Sequence, residues 1–303
     1  DYGGAVYVSG SSALINNTAF TMCAAQNKHG GAIFVAGLNT TISYSNFTQN
    51  SANGTGAHGG AIDVSGNDTT IYKCIFDRCS AYDGGTLYIY GECTVIDGMD
   101  FKRSIALHDG GTIYILGNDV TISNTSFAYT NASHNGGAVY VAGNNSNIVN
   151  SSFTICIAKN GGDGGAIYIA GSDATISNST LNFNNATSYG GAIFVDGANA
   201  CLDGDVFEYC SSDRLNGGAV YVKGVNTTIS NSNFTRNRVN IANFALGGAV
   251  YVAGSDAKVF NTSFEMCIAY NGAVLYLDGD DAVIDGSTFM YSSAFDDGGA
   301  IYV

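Results

Sequence analysis

Apolar residues in this chain recur in short alternating bursts. In Val6-Tyr7-Val8 and Ile167-Tyr168-Ile169 an aliphatic residue stands at every second position, which puts those residues on one face of a strand. The burst sits in a frame, GGA-[IV]-[YF]-V-x-G, that opens at Gly3, Gly30, Gly59, Gly84, Gly110, Gly136, Gly164, Gly190, Gly217, Gly247, Gly272 and Gly298. The steps between these glycines average about 27 residues, and a fixed period of that size is the mark of a solenoid.

A second segment follows a turn rich in Asn and Asp. It starts at an aliphatic residue such as Ile42, Ile122 or Ile229 and reaches an aromatic five positions later: Phe20, Phe47, Phe76, Phe101, Phe127, Phe153, Phe207, Phe234, Phe264 and Phe289, with Leu181 in the remaining unit. So regular a column predicts an internal stack. Two residues after the aliphatic stands Asn or Gly in most units, as at Asn124, Asn178, Asn261 and Gly286. Both tolerate left-handed backbone, which predicts a corner. Five residues after the Phe, Ala predominates, the choice for a tightly packed inward position.

Three short strands per unit, corners between them and no helical period predict an all-β fold, the parallel β-helix. Units of this length exceed the hexapeptide type, and the handedness rule for parallel crossovers selects the right-handed form. The expectation is one continuous solenoid over residues 1–303, with 11 to 12 coils. Because Asp1 falls inside a unit and Val303 inside a strand, it also reads as an excerpt of a longer chain.

Composition supports this reading and narrows the partners. The chain has 41 Gly and no Pro or Trp, and only 12% of its residues are charged, which suits turns and strands. A net charge of -14 with 11 Lys and Arg argues against nucleic acid, which needs clustered cations. No run of about 18 apolar residues is present to span a membrane as a helix.

Cys23, Cys79, Cys156, Cys210 and Cys267 stand three residues after the Phe, where other units have Asn50, Ser104, Asn184 or Asn237. They never fall in adjacent units, so at about 4.8 Å per coil they lie beyond disulfide reach. The column reads as small buried side chains. Cys74 shares a unit with Cys79, and Cys93 and Cys201 have no evident mates. No zinc spacing occurs.

Fourteen Asn-x-Ser/Thr sequons occur. Corner sites such as Asn124 and Asn150 are explained by backbone geometry alone, whereas Asn39, Asn53, Asn67, Asn131, Asn185 and Asn226 fall in loops and turns and are the candidate glycosylation sites. His29, His58, His108 and His134 all lie one or two residues before a GG, in one loop column. They read as exposed loop residues, with a metal site across adjacent coils as the alternative. Asp280 with Asp281, or the column of Asp68, Asp119, Asp173 and Asp256, would bind Ca²⁺ weakly at most, because the calcium-binding nonapeptide is missing. No cofactor is expected.

The fifth position of the frame is aromatic in every unit but the third, where it is Asp63, and the third position admits Thr86 and Thr112. An acid and two hydroxyls predict that this face points outward. Tyr88, Tyr114, Tyr140, Tyr168, Tyr221, Tyr251 and Tyr276 would then form a contact stripe for sugars or proteins; a ladder that merely stiffens the sheet is the alternative.

The pairing of GGAIF at Gly30 with FTQN at Phe47, and of GGAVY at Gly217 with FTRN at Phe234, resembles repeats of chlamydial polymorphic outer-membrane proteins. TISNSNFTRN at Thr228 is similar to the wording of adhesin-like surface proteins of methanogenic archaea, although Cys replaces Asn at five FxxN sites. The resemblance implies a β-helical stalk or passenger region at the cell surface, used for adhesion. The expected function is therefore an extracellular, non-enzymatic structural or adhesive glycoprotein. Its partners would be host-cell or neighbouring-cell glycans or proteins, or copies of itself stacked end to end as a filament. The alternative is a polysaccharide lyase or hydrolase, since such enzymes also use β-helices. That alternative requires the irregular charges Asp63, Asp77, Arg78 and Glu92 to meet in one groove.

Overall fold

The computed structural model describes residues 2–26, 28–240 and 244–303. The first coil contains β1 (Val6–Val8), β2 (Leu14–Asn16), β3 (Ala19–Thr21) and β4 (Ala24–Gln26). Equivalent strands of later coils stack on these in parallel, giving, among the described residues, one sheet of twelve strands and three of eleven. The fold is the expected right-handed parallel β-helix. The three expected strands form the first three sheets. A fourth ladder, mostly of two-residue strands, runs through the Ala position that closes each coil.

Register puts like over like: Tyr114 pairs with Tyr140, Phe101 with Phe127 and Ile122 with Ile148. This follows from corners repeated at the same place in each coil. In the coil through Phe127 the chain turns with left-handed backbone at Asp119, Asn124, Tyr129 and Gly136 (φ 58°, 50°, 59° and 61°). Asn124 is the corner expected from the sequence. The second Gly of the GG pair serves packing instead: a Cβ on Gly137 would collide with the carbonyl oxygen of Gly165 in the next coil.

The core runs along the axis. Phe rings of adjacent coils stack with centroids 4.4 to 5.2 Å apart, and the Ile and Val of the first sheet point in beside them. Such rings carry large buried areas and favourable ring-to-ring contact. Two polar ladders line the interior corners. Thr125 N–H donates to Ser151 Oγ of the next coil, Ser151 N–H to Ser179 Oγ, and Ser179 N–H to Asp205 Oδ1. At the next corner Cys156 N–H donates to Asn184 Oδ1, and Asn184 Nδ2 donates back to the Phe153 carbonyl. Corner amides that sheet pairing cannot reach are satisfied in this way.

The Cys column is what its spacing predicts. All eight cysteines are free, and Cys79, Cys156, Cys210 and Cys267 are buried. Burial pushes these four thiols up to about 12, so they act as small packing groups. Cys74 is also buried and unpaired to Cys79, while Cys93 is exposed.

Candidate functional site

The aromatic column occupies the middle of the first-sheet strands, between two inward aliphatics, so each ring leaves the strand on the outer face. From Tyr88 to Tyr302 successive rings lie 4.7 to 5.2 Å apart and within 9° of parallel. Face-to-face stacking hides the ring faces and turns their edges and hydroxyls to the surface. Tyr88, Tyr114, Tyr140, Tyr168, Tyr221 and Tyr276 are half-buried, and Tyr251 is buried, its hydroxyl donating to Asp278 Oδ2 at 3.0 Å. Burial pushes the Tyr221 hydroxyl up to about 12 and raises those of Tyr88, Tyr114, Tyr140 and Tyr168 as well.

Two of the three residues used to orient this face do something else. Thr86 and Thr112 are fully buried, and the Thr86 hydroxyl meets Ser104 Oγ at 2.7 Å inside the coil. The strand begins only after this position, so its alternation does not extend back across the GG corner. Asp63 is 3% exposed. It interrupts the column between Phe34 and Tyr88, and burial raises its carboxyl well above the usual range, against a lowering hydrogen bond from Ser65.

Loop imidazoles fill the space that Asp63 leaves. His58 stacks on Tyr88, His29 stacks on His58, and Tyr2 closes the row against His29 and Phe34. His29 Nδ1 lies 3.8 Å from Asp63 Oδ2. Burial lowers the pKa of both imidazoles. The result is a cleft of about 380 Å³ lined by Tyr2, His29, Phe34, His58, Asp63 and Tyr88, among others.

The charges that break the repeat do not meet there. Asp77 faces out of the third sheet, paired with Arg78 at 3.3 Å and Arg103 at 2.7 Å. Glu92 lies in the turn after the first sheet, beside Asn67 and Asn118. Asp63 alone contributes to the cleft.

Among the sequons, Asn39, Asn53, Asn67 and Asn226 are exposed, with Asn39 and Asn226 in left-handed turn positions. Asn131 and Asn185 are half-buried. The Asn185 amide already donates to Ser211 and Asp213. The Asp turn column is a ladder shared with asparagine: Asn199 Nδ2 donates to Asp173 Oδ1 at 3.0 Å, and Asn226 continues it to Asn199.

The third corner carries a feature that sequence reasoning misses. Its left-handed residue points outward and is bulky in most coils: Met22, Tyr129, Ile155, Phe183, Tyr209, Met266 and Tyr291. Met22 is 69% exposed, Tyr129 56%, Phe183 53% and Tyr291 80%. Left-handed backbone costs about 1–2 kcal/mol for a residue with a Cβ and is rarer still for a β-branched residue such as Ile155. Phe183 stacks on Tyr209 at 4.9 Å, and the Arg236 guanidinium both lies over the Tyr209 ring and donates to its hydroxyl at 2.7 Å. With Arg238, Met266 and Ile268 they line a groove of about 470 Å³. The only sequence signal is negative: one corner lacks the Asn and Gly that mark the other.

Comparison with known proteins agrees with the fold. The family described as right handed beta helix region matches residues 165–303. No curated protein matches the chain. Among solved structures, the alginate lyase AlyF-OU02 in complex with G6 is similar at 11% identity over 93% of this chain and 79% of that one, with a TM-score of 0.45. The family match and the stacked parallel sheets together make this chain a β-helical repeat protein.

Proposed function

We propose that the chain is an extracellular structural and adhesive surface protein, a non-catalytic rod that contacts cell-surface glycans, proteins or copies of itself through its outer faces. The observation that carries this reading is the third-corner ridge. Bulky side chains stand there on backbone that disfavours them, most of them exposed to water and all outside the buried core. Neither core packing nor propensity accounts for them, whereas a contact surface does. Tyr and Arg, which recur in the ridge at Tyr129, Tyr209, Tyr291 and Arg236, are the residue types that dominate binding interfaces. The exposed sequons Asn39, Asn53, Asn67 and Asn226 fit the glycoprotein part of the proposal. The Tyr88–Tyr276 stripe serves in it as a secondary surface of ring edges and hydroxyls.

A second reading, a polysaccharide lyase or hydrolase, rests on the cleft where Asp63, His29, His58 and Tyr88 converge. A carboxyl with a raised pKa beside imidazole and phenol is a combination suited to proton transfer.

One experiment separates the two. Immobilised full-length chain is tested for retention of cells and of a glycan panel, beside a variant carrying Tyr129→Ser, Phe183→Ser and Tyr209→Ser. Retention that falls in the variant supports adhesion through the ridge. Retention equal in both chains, or shortening of a soluble polysaccharide that Asp63→Asn abolishes, overturns it.

A further inference from the structure

The loops that close the third and fourth coils bring together three groups, Asp83, His108 and Asp109, that neither functional reading uses. Asp83 Oδ1 and His108 Nδ1 are 3.0 Å apart, and Asp109 Oδ2 lies 3.3 Å from the same nitrogen. A neutral imidazole nitrogen donates at most one hydrogen, so two carboxylates share a single donor. Ligand atoms held about 2.1 Å from one ion would be spaced about 3.0 Å apart in an octahedron and about 3.4 Å in a tetrahedron, which is the spacing of each carboxylate oxygen from the His108 nitrogen.

The backbone fixes one oxygen of each carboxylate. Asp83 Oδ1 accepts the Asp109 N–H at 3.0 Å, and Asp109 Oδ1 accepts the Asn135 N–H at 2.8 Å, which leaves Asp109 Oδ2 turned to the imidazole. Outer contacts of this kind orient metal ligands. A second observation comes from another imidazole. His58 Nδ1, one coil earlier, is buried without a hydrogen-bond partner and lies 3.5 Å from Asp83 Oδ2. An imidazole nitrogen without a hydrogen-bond partner, facing the Asp83 carboxylate, is placed to act as a further ligand.

We propose that Asp83, His108 and Asp109 bind a first-row divalent cation of Zn²⁺ type, with His58 as a further ligand from the coil below. One imidazole and two carboxylates suit Zn²⁺ and its first-row neighbours, whereas Ca²⁺ takes six to eight oxygens. The ligands come from consecutive coils, so the ion would staple the exit loops together and stabilise the folded rod by mass action. The site is separate from the aspartate turn column that the sequence offers for Ca²⁺.

The test uses the full chain, reduced and stripped of metal, titrated with Co²⁺ and with Zn²⁺. One equivalent of Co²⁺ is expected to bind with ligand-field bands and no thiolate charge-transfer band, and Zn²⁺ raises the melting midpoint while Ca²⁺ does not. Asp83→Asn and His108→Gln each weaken binding at least about tenfold while leaving the metal-free melting midpoint near that of the parent. Should either fail to fold, His58→Gln, at the edge of the set, reports in its place with a smaller loss. No binding, a thiolate band placing the metal on cysteine, or unchanged affinity in the folded variants overturns the proposal.

Discussion

The imidazole of His58 lies 4.2 Å from the ring of Tyr88 and within 16° of parallel to it, in the gap that Asp63 opens in the aromatic column. A residue from a loop thus completes a stack that the strand sequence leaves incomplete. Asp63 is left beneath it with its carboxyl buried and its pKa raised well above the usual range by that burial.

Replacing that carboxyl is expected to stabilise the protein. Asp63→Asn keeps the shape and the hydrogen-bond acceptor but has no proton to lose, which removes the cost of burying an ionisable carboxyl, so at pH 8 its unfolding free energy from urea melts should exceed that of the parent by about 1–3 kcal/mol. A lower midpoint would show that the carboxylate is compensated in the cleft.

Asp205 makes a sharper pH prediction. It stands in the Ser/Thr corner ladder with one oxygen accepting from Ser179 and the other unpartnered, and burial raises its pKa to about 8. In the unfolded chain it ionises near pH 4. Below that both states hold the proton; between about pH 4 and 8 only the unfolded state loses it, so stability falls as pH rises and levels off above 8. Asp163, raised to about 6 by burial, adds to the same slope. The loss at Asp205 is of the order of several kcal/mol. Asp205→Ser, which restores the column's usual residue, should remove most of this slope in melts from pH 4 to 9. An unchanged slope would refute the assignment.

Thiol labelling tests the interior directly. Cys93 is exposed, whereas Cys79, Cys156, Cys210 and Cys267 are buried with pKa values near 12. Iodoacetamide at pH 8 should modify Cys93 first and the four column residues only after denaturant is added. Native modification of Cys156 would contradict the ladder.

Stack and ridge should respond in opposite directions. Phe153→Ala empties a fully buried place between Phe127 and Leu181 and is expected to cost about 3–5 kcal/mol. Tyr129→Gly relieves a left-handed residue and should gain about 1 kcal/mol while weakening adhesion. Chemical denaturation of both variants measures this, and a destabilised Tyr129→Gly would mean that the ridge is structural.

The columns that repeat are the ones legible in the sequence. Phe101 over Phe127, Cys156 beside Asn184 and the corner at Asn124 are each written many times over, and parallel stacking turns repetition into contact. The histidine column of His58 and His108 is legible in the sequence, with a metal site across coils as one alternative, but the part of Asp83 and Asp109 is not: their loop column varies from coil to coil, so their meeting with His108 depends on stacking alone. Thr86 misled because strand alternation was carried across a glycine corner that resets it. Tyr129 and Phe183 are not legible in the sequence because bulky residues at a left-handed corner contradict local preference.

The in-register stacking of the four sheets has a consequence for length. Every coil meets its neighbours through the same columns, so removing the 26 residues from Gly110 to Asn135 would join two surfaces already built for each other. The rod would shorten by about 4.8 Å with its outline otherwise unchanged. Reach is therefore a quantity that gain or loss of whole coils can adjust in single steps, like the divisions of a ruler, without redesigning any residue that remains.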